Sequence, residues 1–143
     1  MMDRIATRIG LTLALGLSAS AAPAAEAMPG AYTVETRVEL PHLEDLNSRS
    51  LASLCITADA ERAHGLGSLS ANTPLAGCPL ANVDRAGEVL TFDIVCAGKN
   101  QARGSARFVM AAERFEGRIT MRLGGKNMTM TEVQSGRRTG PCP

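Results

Sequence analysis

The chain has no tryptophan, one tyrosine (Tyr32) and three phenylalanines (Phe92, Phe108, Phe115) among 143 residues. So few aromatic faces exclude a platform on which bases or sugars stack. An excess of one charge is missing too: 15 Lys and Arg stand against 14 Asp and Glu. That balance excludes the broad basic field of a nucleic-acid binder. Histidine is limited to His42 and His64. They do not stand at metal-ligand spacing, and we read them as isolated surface side chains rather than as part of a carboxylate metal site. Gly65-Leu66-Gly67 lacks the Lys-Ser/Thr ending of a phosphate loop and reads as a turn. No triad or carboxylate pair is placed, so an enzyme is not expected; a small hydrolase is a distant alternative. No cofactor and no metal is implied.

What is present starts with an ordered N-terminal stretch. Arg4 and Arg8 precede an apolar run over residues 9–17, and residues 19–27 are rich in small side chains. That order is a secretory signal peptide, and small residues allow cleavage after Ala24 or after Ala27. The run is far shorter than the roughly 20 residues that span a bilayer as a helix. We therefore expect residues 1–27 to be a signal peptide and residues 28–143 to form a single exported β domain, periplasmic, with no transmembrane segment after cleavage.

Four cysteines follow, Cys55, Cys78, Cys96 and Cys142. An even number in an exported domain implies disulfides. Zinc is the rival reading, but the close C-x2-4-C pairs of structural zinc sites are absent.

The mature chain alternates as strands do. Tyr32, Val34, Thr36, Val38 and Leu40 interleave with Thr33, Glu35, Arg37 and Glu39, a period of two that predicts a strand with one buried face over residues 31–40. Residues 51–56 predict a second strand and residues 57–62 a short helix capped by Thr57. The small and polar residues between Gly65 and Gly77 read as a flexible loop. Residues 80–85 and 89–96 flank a turn at Ala86-Gly87, and residues 105–111 and 114–123 flank Ala112-Glu113. Gly124-Gly125 is a favoured two-residue hairpin turn. Centred there, Leu123 faces Lys126, Met121 faces Met128 and Ile119 faces Met130. The opposite side pairs Thr120 with Thr129, Arg122 with Asn127 and Arg118 with Thr131. A one-residue slip would invert every side chain, so consistency on both faces supports this register. The expected fold is mainly β: an antiparallel meander, curved or partly closed, with one short helix and disulfide staples.

The hairpin at Ala86-Gly87 brings Cys78 close to Cys96, within disulfide reach, and elimination leaves Cys55–Cys142. One face of the late strands gathers Phe108, Met110, Phe115, Ile119, Met121, Met128 and Met130, as core or as the lining of a pocket. Soft thioethers invite a Cu(I) reading, but flexible methionines filling a core or pocket fit an alternating strand better. The other face carries Arg103, Arg107, Arg114, Arg118 and Arg122. From Lys99 to Pro143 there are nine Lys or Arg against three acids, whereas Met28 to Gly98 has four against nine. Such a face suits an anionic partner unless Glu35 and Glu39 lie beside the arginines and neutralise them.

Several pieces in order resemble the DUF3617 family of bacterial exported proteins of unknown function. They are Pro29-Gly30 followed by Tyr32, Cys55-Ile56-Thr57, Cys78, Gly87, Cys96, Phe115-Glu116-Gly117, Met128-Thr129-Met130 and the ending from Gly136 to Pro143. Members often carry Trp where this chain has Tyr32 and Phe92. The resemblance implies export and a small β fold, and implies no activity. Two functional classes stand foremost. One is an envelope binding module that holds an apolar molecule on the Met-lined face. The other is an envelope interaction protein whose basic outer face meets an anionic lipid headgroup or protein partner.

Overall fold

The computed structural model describes residues 29–43, 48–57, 68–98, 101–124 and 128–143. Seven strands, β1 (Gly30–Glu39), β2 (Ser48–Ile56), β3 (Leu80–Ala86), β4 (Val89–Val95), β5 (Arg103–Met110), β6 (Arg114–Leu123) and β7 (Met128–Gly140), make one antiparallel open sheet. Their order is β2-β1-β7-β6-β5-β4-β3. The meander expected from the sequence therefore holds from β3 to β7. The β1–β2 hairpin is an exception, because it adds to the far side of β7 and leaves β2 and β3 as the two edges.

Strict alternation builds the inner face. Tyr32, Val34, Leu54, Phe92, Ile94, Phe108, Met110, Phe115, Ile119 and Met121 are all buried. Four aromatics form a chain along it: Phe108 lies between Phe92, with centroids 6.0 Å away, and Phe115, at 5.9 Å. Phe115 continues to Tyr32 at 5.6 Å. Contacts of this kind add about 0.5–1.5 kcal/mol each beyond their buried area.

The segment expected to be a flexible loop instead covers this face. A single 3-10 turn, Ser68–Ser70, is followed by Thr73, whose hydroxyl donates to the Ser70 carbonyl at 2.8 Å and accepts from the Leu75 amide. Local bonding thus satisfies the buried backbone, and Leu69 and Leu75 are driven inward, 2% and 0% exposed. The Leu69 carbonyl accepts a hydrogen bond from Gln134 Nε2 at 2.7 Å. Leu75 sits over Gly104, where an added Cβ would come within 2.7 Å of it. The helix expected over residues 57–62 lies outside the described residues from 58 onward.

Hairpin registers differ in how well alternation foretells them. Across Ala112-Glu113, Met110 faces Phe115 and Ala106 faces Ile119, as expected. The β3–β4 turn is Gly87-Glu88 rather than Ala86-Gly87, and a bulge between Ala81 and Asp84 restores Cys78 opposite Cys96. Within that bulge Asn82 adopts a left-handed φ of 51°.

The last hairpin is a correction. Strand β6 ends at Leu123 and β7 begins at Met128, so the connection is longer than Gly124-Gly125. Met121 faces Met130, Leu123 faces Met128 and Ile119 faces Glu132. The slip is by two residues, which leaves every side chain on its expected face, so agreement of both faces cannot detect it. Packing selects the true register. Phe115 now lies opposite Gly136, where a Cβ would overlap its ring, just as Gly117 makes room for Phe108 across β5 and β6.

Disulfides Cys78–Cys96 and Cys55–Cys142 close the fold, with Cα atoms 4.9 and 5.6 Å apart. The second ties the end of the chain to β2 past the start of β1. There Gly30 approaches the Gly140 carbonyl so closely that no Cβ fits between them.

Candidate functional site

The inner face has little room for a ligand. Phe108, Ile119 and Met121 are 0% exposed, with Phe115 at 1% and Met110 at 2%. They are core. Met130 is half-buried against that core, whereas Met128 departs from the expectation at 56% exposed. It lies at the first position of β7, beyond the covered part of the face. Four thioethers do not gather. Met121 and Met130 are direct partners, but Met110 is six rungs from Met121, roughly 20 Å along the strands. His42 is exposed in the turn after β1, and His64 lies outside the described residues.

Polar groups also enter the inner face on β7. Glu132 and Gln134 are each 3% exposed. Glu132 Oε1 accepts from Gln134 Nε2 at 2.6 Å. Burial pushes the Glu132 carboxyl above the usual range, and the Gln134 bond offsets this in part. Sequence reading did not single out either residue, because both fall on strand positions expected to be apolar.

The outer face collects the arginines. Since the strands are antiparallel with directly opposed rungs, outward residues fall into rows across the sheet. One row places Arg103 opposite Arg122. Two residues further along each strand, the next row holds Asp93, Ser105, Thr120, Thr131 and Glu39. A third row brings Arg107 and Arg118 face to face and continues through Val133 to Arg37 and Arg49. Glu116 and Glu35 occupy the fourth row, and Arg114 opposes Arg137 in the fifth. All five arginines expected on this face are there and exposed. Arg137 was missed, because the two-residue slip in the last hairpin hid its pairing with Arg114.

Like charges directly opposite each other on a sheet are destabilising. Four such pairs occur on the outer face among the described residues: Arg37/Arg49 on β1 and β2, and Arg103/Arg122, Arg107/Arg118 and Arg114/Arg137 on β5, β6 and β7. Among the described residues, neutralisation by the first strand reaches β6 only at Arg118. Glu39 binds Arg37 at 2.6 Å and reaches Arg118 at 3.3 Å, while Glu35 meets Arg49 at 3.7 Å. Arg103, Arg107, Arg114, Arg122 and Arg137 have no ion-pair partner among the described residues.

Two adjoining grooves of about 400 and 440 Å³ open on the unneutralised flank. Their shared walls are Asn82, Asp93, Ser105 and Thr120; one takes in Arg103 and Arg122, the other Arg107 and Arg118. Asp93 is the one carboxylate in them. Its oxygens accept from Asn82 Nδ2 and Ser105 Oγ, each at 2.8 Å, and these bonds hold it below the usual carboxylate range. The Asn82 bond also pins the β3 bulge to the outer face, so this irregular edge strand shapes the groove.

A family model described as a protein of unknown function, DUF3617, matches residues 27–142. No match was found among curated proteins or among solved structures.

Proposed function

The chain belongs to the DUF3617 family, and we propose that it is an exported, non-enzymatic binding module of the bacterial envelope whose outer face on β5, β6 and β7 engages an anionic partner. The observation that carries this reading is the set of three opposed arginine pairs, left largely unneutralised while acids are used on the neighbouring flank. Folding alone gives no reason for them, since each pair opposes sheet formation. An anion placed between two guanidinium groups reverses the sign of that interaction and accepts bidentate hydrogen bonds. Export is supported by the basic, apolar and small-residue order of residues 4–27. The two disulfides suit an oxidising compartment.

Co-sedimentation with phosphatidylglycerol vesicles tests the reading. The protein should bind them at low ionic strength, release as salt screens the charges, and ignore phosphatidylcholine vesicles. Failure to bind either anionic vesicles or soluble phosphorylated anions at low ionic strength would overturn it. The second reading, an apolar molecule held by the inner face, rests on exposed Met128 beside half-buried Leu123 and Met130. Displacement of a bound apolar dye by lipid extract would favour that reading.

A further inference from the structure

We infer that the two grooves on β4, β5 and β6 form one site for a sugar carrying two phosphate groups. This deepens the reading of the outer face and rests on it. The argument comes from spacing. Arg103/Arg122 and Arg107/Arg118 are separated by four residues along each strand, about 13 Å between Cα positions. Flexible arginine side chains from both pairs can lean over the intervening row, so two anions bound there lie closer together than the backbone rows. Arg103 and Arg122 offer two forked guanidinium groups, the geometry that takes a phosphate bidentately; in the second pair Arg107 offers one, and Arg118 shares its own with Glu39.

Between the pairs the floor is neither charged like the arginines nor apolar. It consists of Ser105 and Thr120, directly opposite each other, with Asp93 beside Ser105. A surface selected only for polyanions has no use for a carboxylate at its centre, because Asp93 repels the ligand. Asp93 is nonetheless fixed in place by Asn82 and Ser105, and two hydrogen bonds leave further acceptor positions on its oxygens. An ionised carboxylate with free acceptor positions, flanked by hydroxyls and bracketed by cations, matches a ligand that is polyhydroxylated in the middle and phosphorylated at both ends. The hydroxyl groups of the sugar donate to Asp93, and the phosphates go to the two arginine pairs. No aromatic side chain takes part, so recognition is by hydrogen bonds and charge rather than by stacking.

Titration calorimetry of the intact disulfide-bonded protein, with fructose 1,6-bisphosphate, glucose 6-phosphate and inorganic phosphate at low ionic strength, tests the site. The bisphosphate should bind at least tenfold more tightly than either of the others. In Arg103→Gln/Arg122→Gln that advantage should fall to within about threefold. Asp93→Asn should weaken the bisphosphate, with circular dichroism verifying the fold; tighter binding by this variant would overturn the role given to Asp93. Equal affinity for bisphosphate and monophosphate, with no capture of a bisphosphorylated glycolipid presented in phosphatidylcholine vesicles, would overturn the site. If the parent then still binds phosphatidylglycerol vesicles, only this inference falls. If it binds neither sugars nor vesicles, the reading of the outer face falls with it. A bisphosphorylated glycolipid in phosphatidylcholine vesicles forms the remaining arm. Capture of the soluble sugar identifies a free ligand and capture of the lipid-borne one alone a headgroup, and each supports the same chemistry.

Discussion

The two flanks of the outer face are built from the same kinds of residue and solve the same problem differently. On β1 and β2, Arg37 and Arg49 stand opposite each other, but Glu39 and Glu35 lie two residues along β1 and hold one each. On β5 and β6 the same row continues with Arg107 opposite Arg118, and only Arg118 finds a carboxylate, the same Glu39. The alternating acid and base of β1 shows that this sheet readily balances its charges. The difference teaches that the arginine excess on β5–β7 is not a general consequence of strand alternation, and it is the observation on which the proposed anionic partner rests.

Each edge of the sheet also has its own disulfide, which allows the largest test. Cys55–Cys142 closes a separation of 87 residues and Cys78–Cys96 one of 18. Loss of either should cost about 2–4 kcal/mol, and loss of the first about 1 kcal/mol more than the second, because it frees the longer loop. Urea denaturation of the two paired Cys→Ala variants checks this; equal losses would show that loop length does not set the contribution.

Gly117→Ala acts beneath the arginine flank. The new methyl group would press on the Phe108 ring and the Arg107 carbonyl, and we expect a loss of about 1–3 kcal/mol by overpacking. A neutral result in the same denaturation assay would contradict the glycine–aromatic packing between β5 and β6.

The balance of charge gives a smaller effect with opposite signs on the two flanks. Arg107→Gln removes an opposed like charge and should raise stability by about 0.2–1 kcal/mol at low salt. Arg49→Gln removes the exposed pair with Glu35 and should lower it by no more than about 1 kcal/mol. Both differences should shrink in salt. Destabilisation by Arg107→Gln would mean that this arginine already has a counter-charge in the folded protein.

The smallest expected effect lies on the inner side of the same sheet. Burial raises the Glu132 carboxyl, so the folded state holds its proton more strongly than the unfolded chain does. The resulting stabilisation is complete below the unfolded value and disappears as pH rises through the folded one. Glu132→Gln keeps an acceptor for Gln134 and has nothing to ionise. Its thermal midpoint should stay near the parent's in acid and rise above it toward neutral pH. A gap that does not change with pH would contradict the assignment.

Legibility in the sequence follows the range of the physical signal. The Ala112-Glu113 hairpin could be read residue by residue, because unbroken alternation on both sides of a short turn leaves one register that buries Phe108, Met110 and Phe115 together. The β6–β7 hairpin could be read only to within two residues, since alternation has a period of two. Gly136 held the missing information, as a vacancy for the Phe115 ring opposite. Leu69 and Leu75 were hidden among Ser, Asn, Pro and Gly, a composition that marks irregular backbone and says nothing about which leucine turns inward. The pairing of β1 with β7 joins segments a hundred residues apart in the chain. Only Cys55–Cys142 hinted at that neighbourhood. At the candidate site, five arginines followed from alternation, whereas Arg137, Asn82 and Asp93 depended on a register and a bulge that local pattern does not determine.

A comparison of two double variants with the same change in net charge tests the central claim most directly. Arg107→Gln/Arg122→Gln empties one side of each groove, and Arg37→Gln/Arg49→Gln alters the self-paired flank. Binding to phosphatidylglycerol vesicles at low ionic strength should fall at least tenfold in the first and stay within about twofold of the parent in the second. Equal losses in both variants would show that net charge alone governs binding and would contradict the distinction between the flanks.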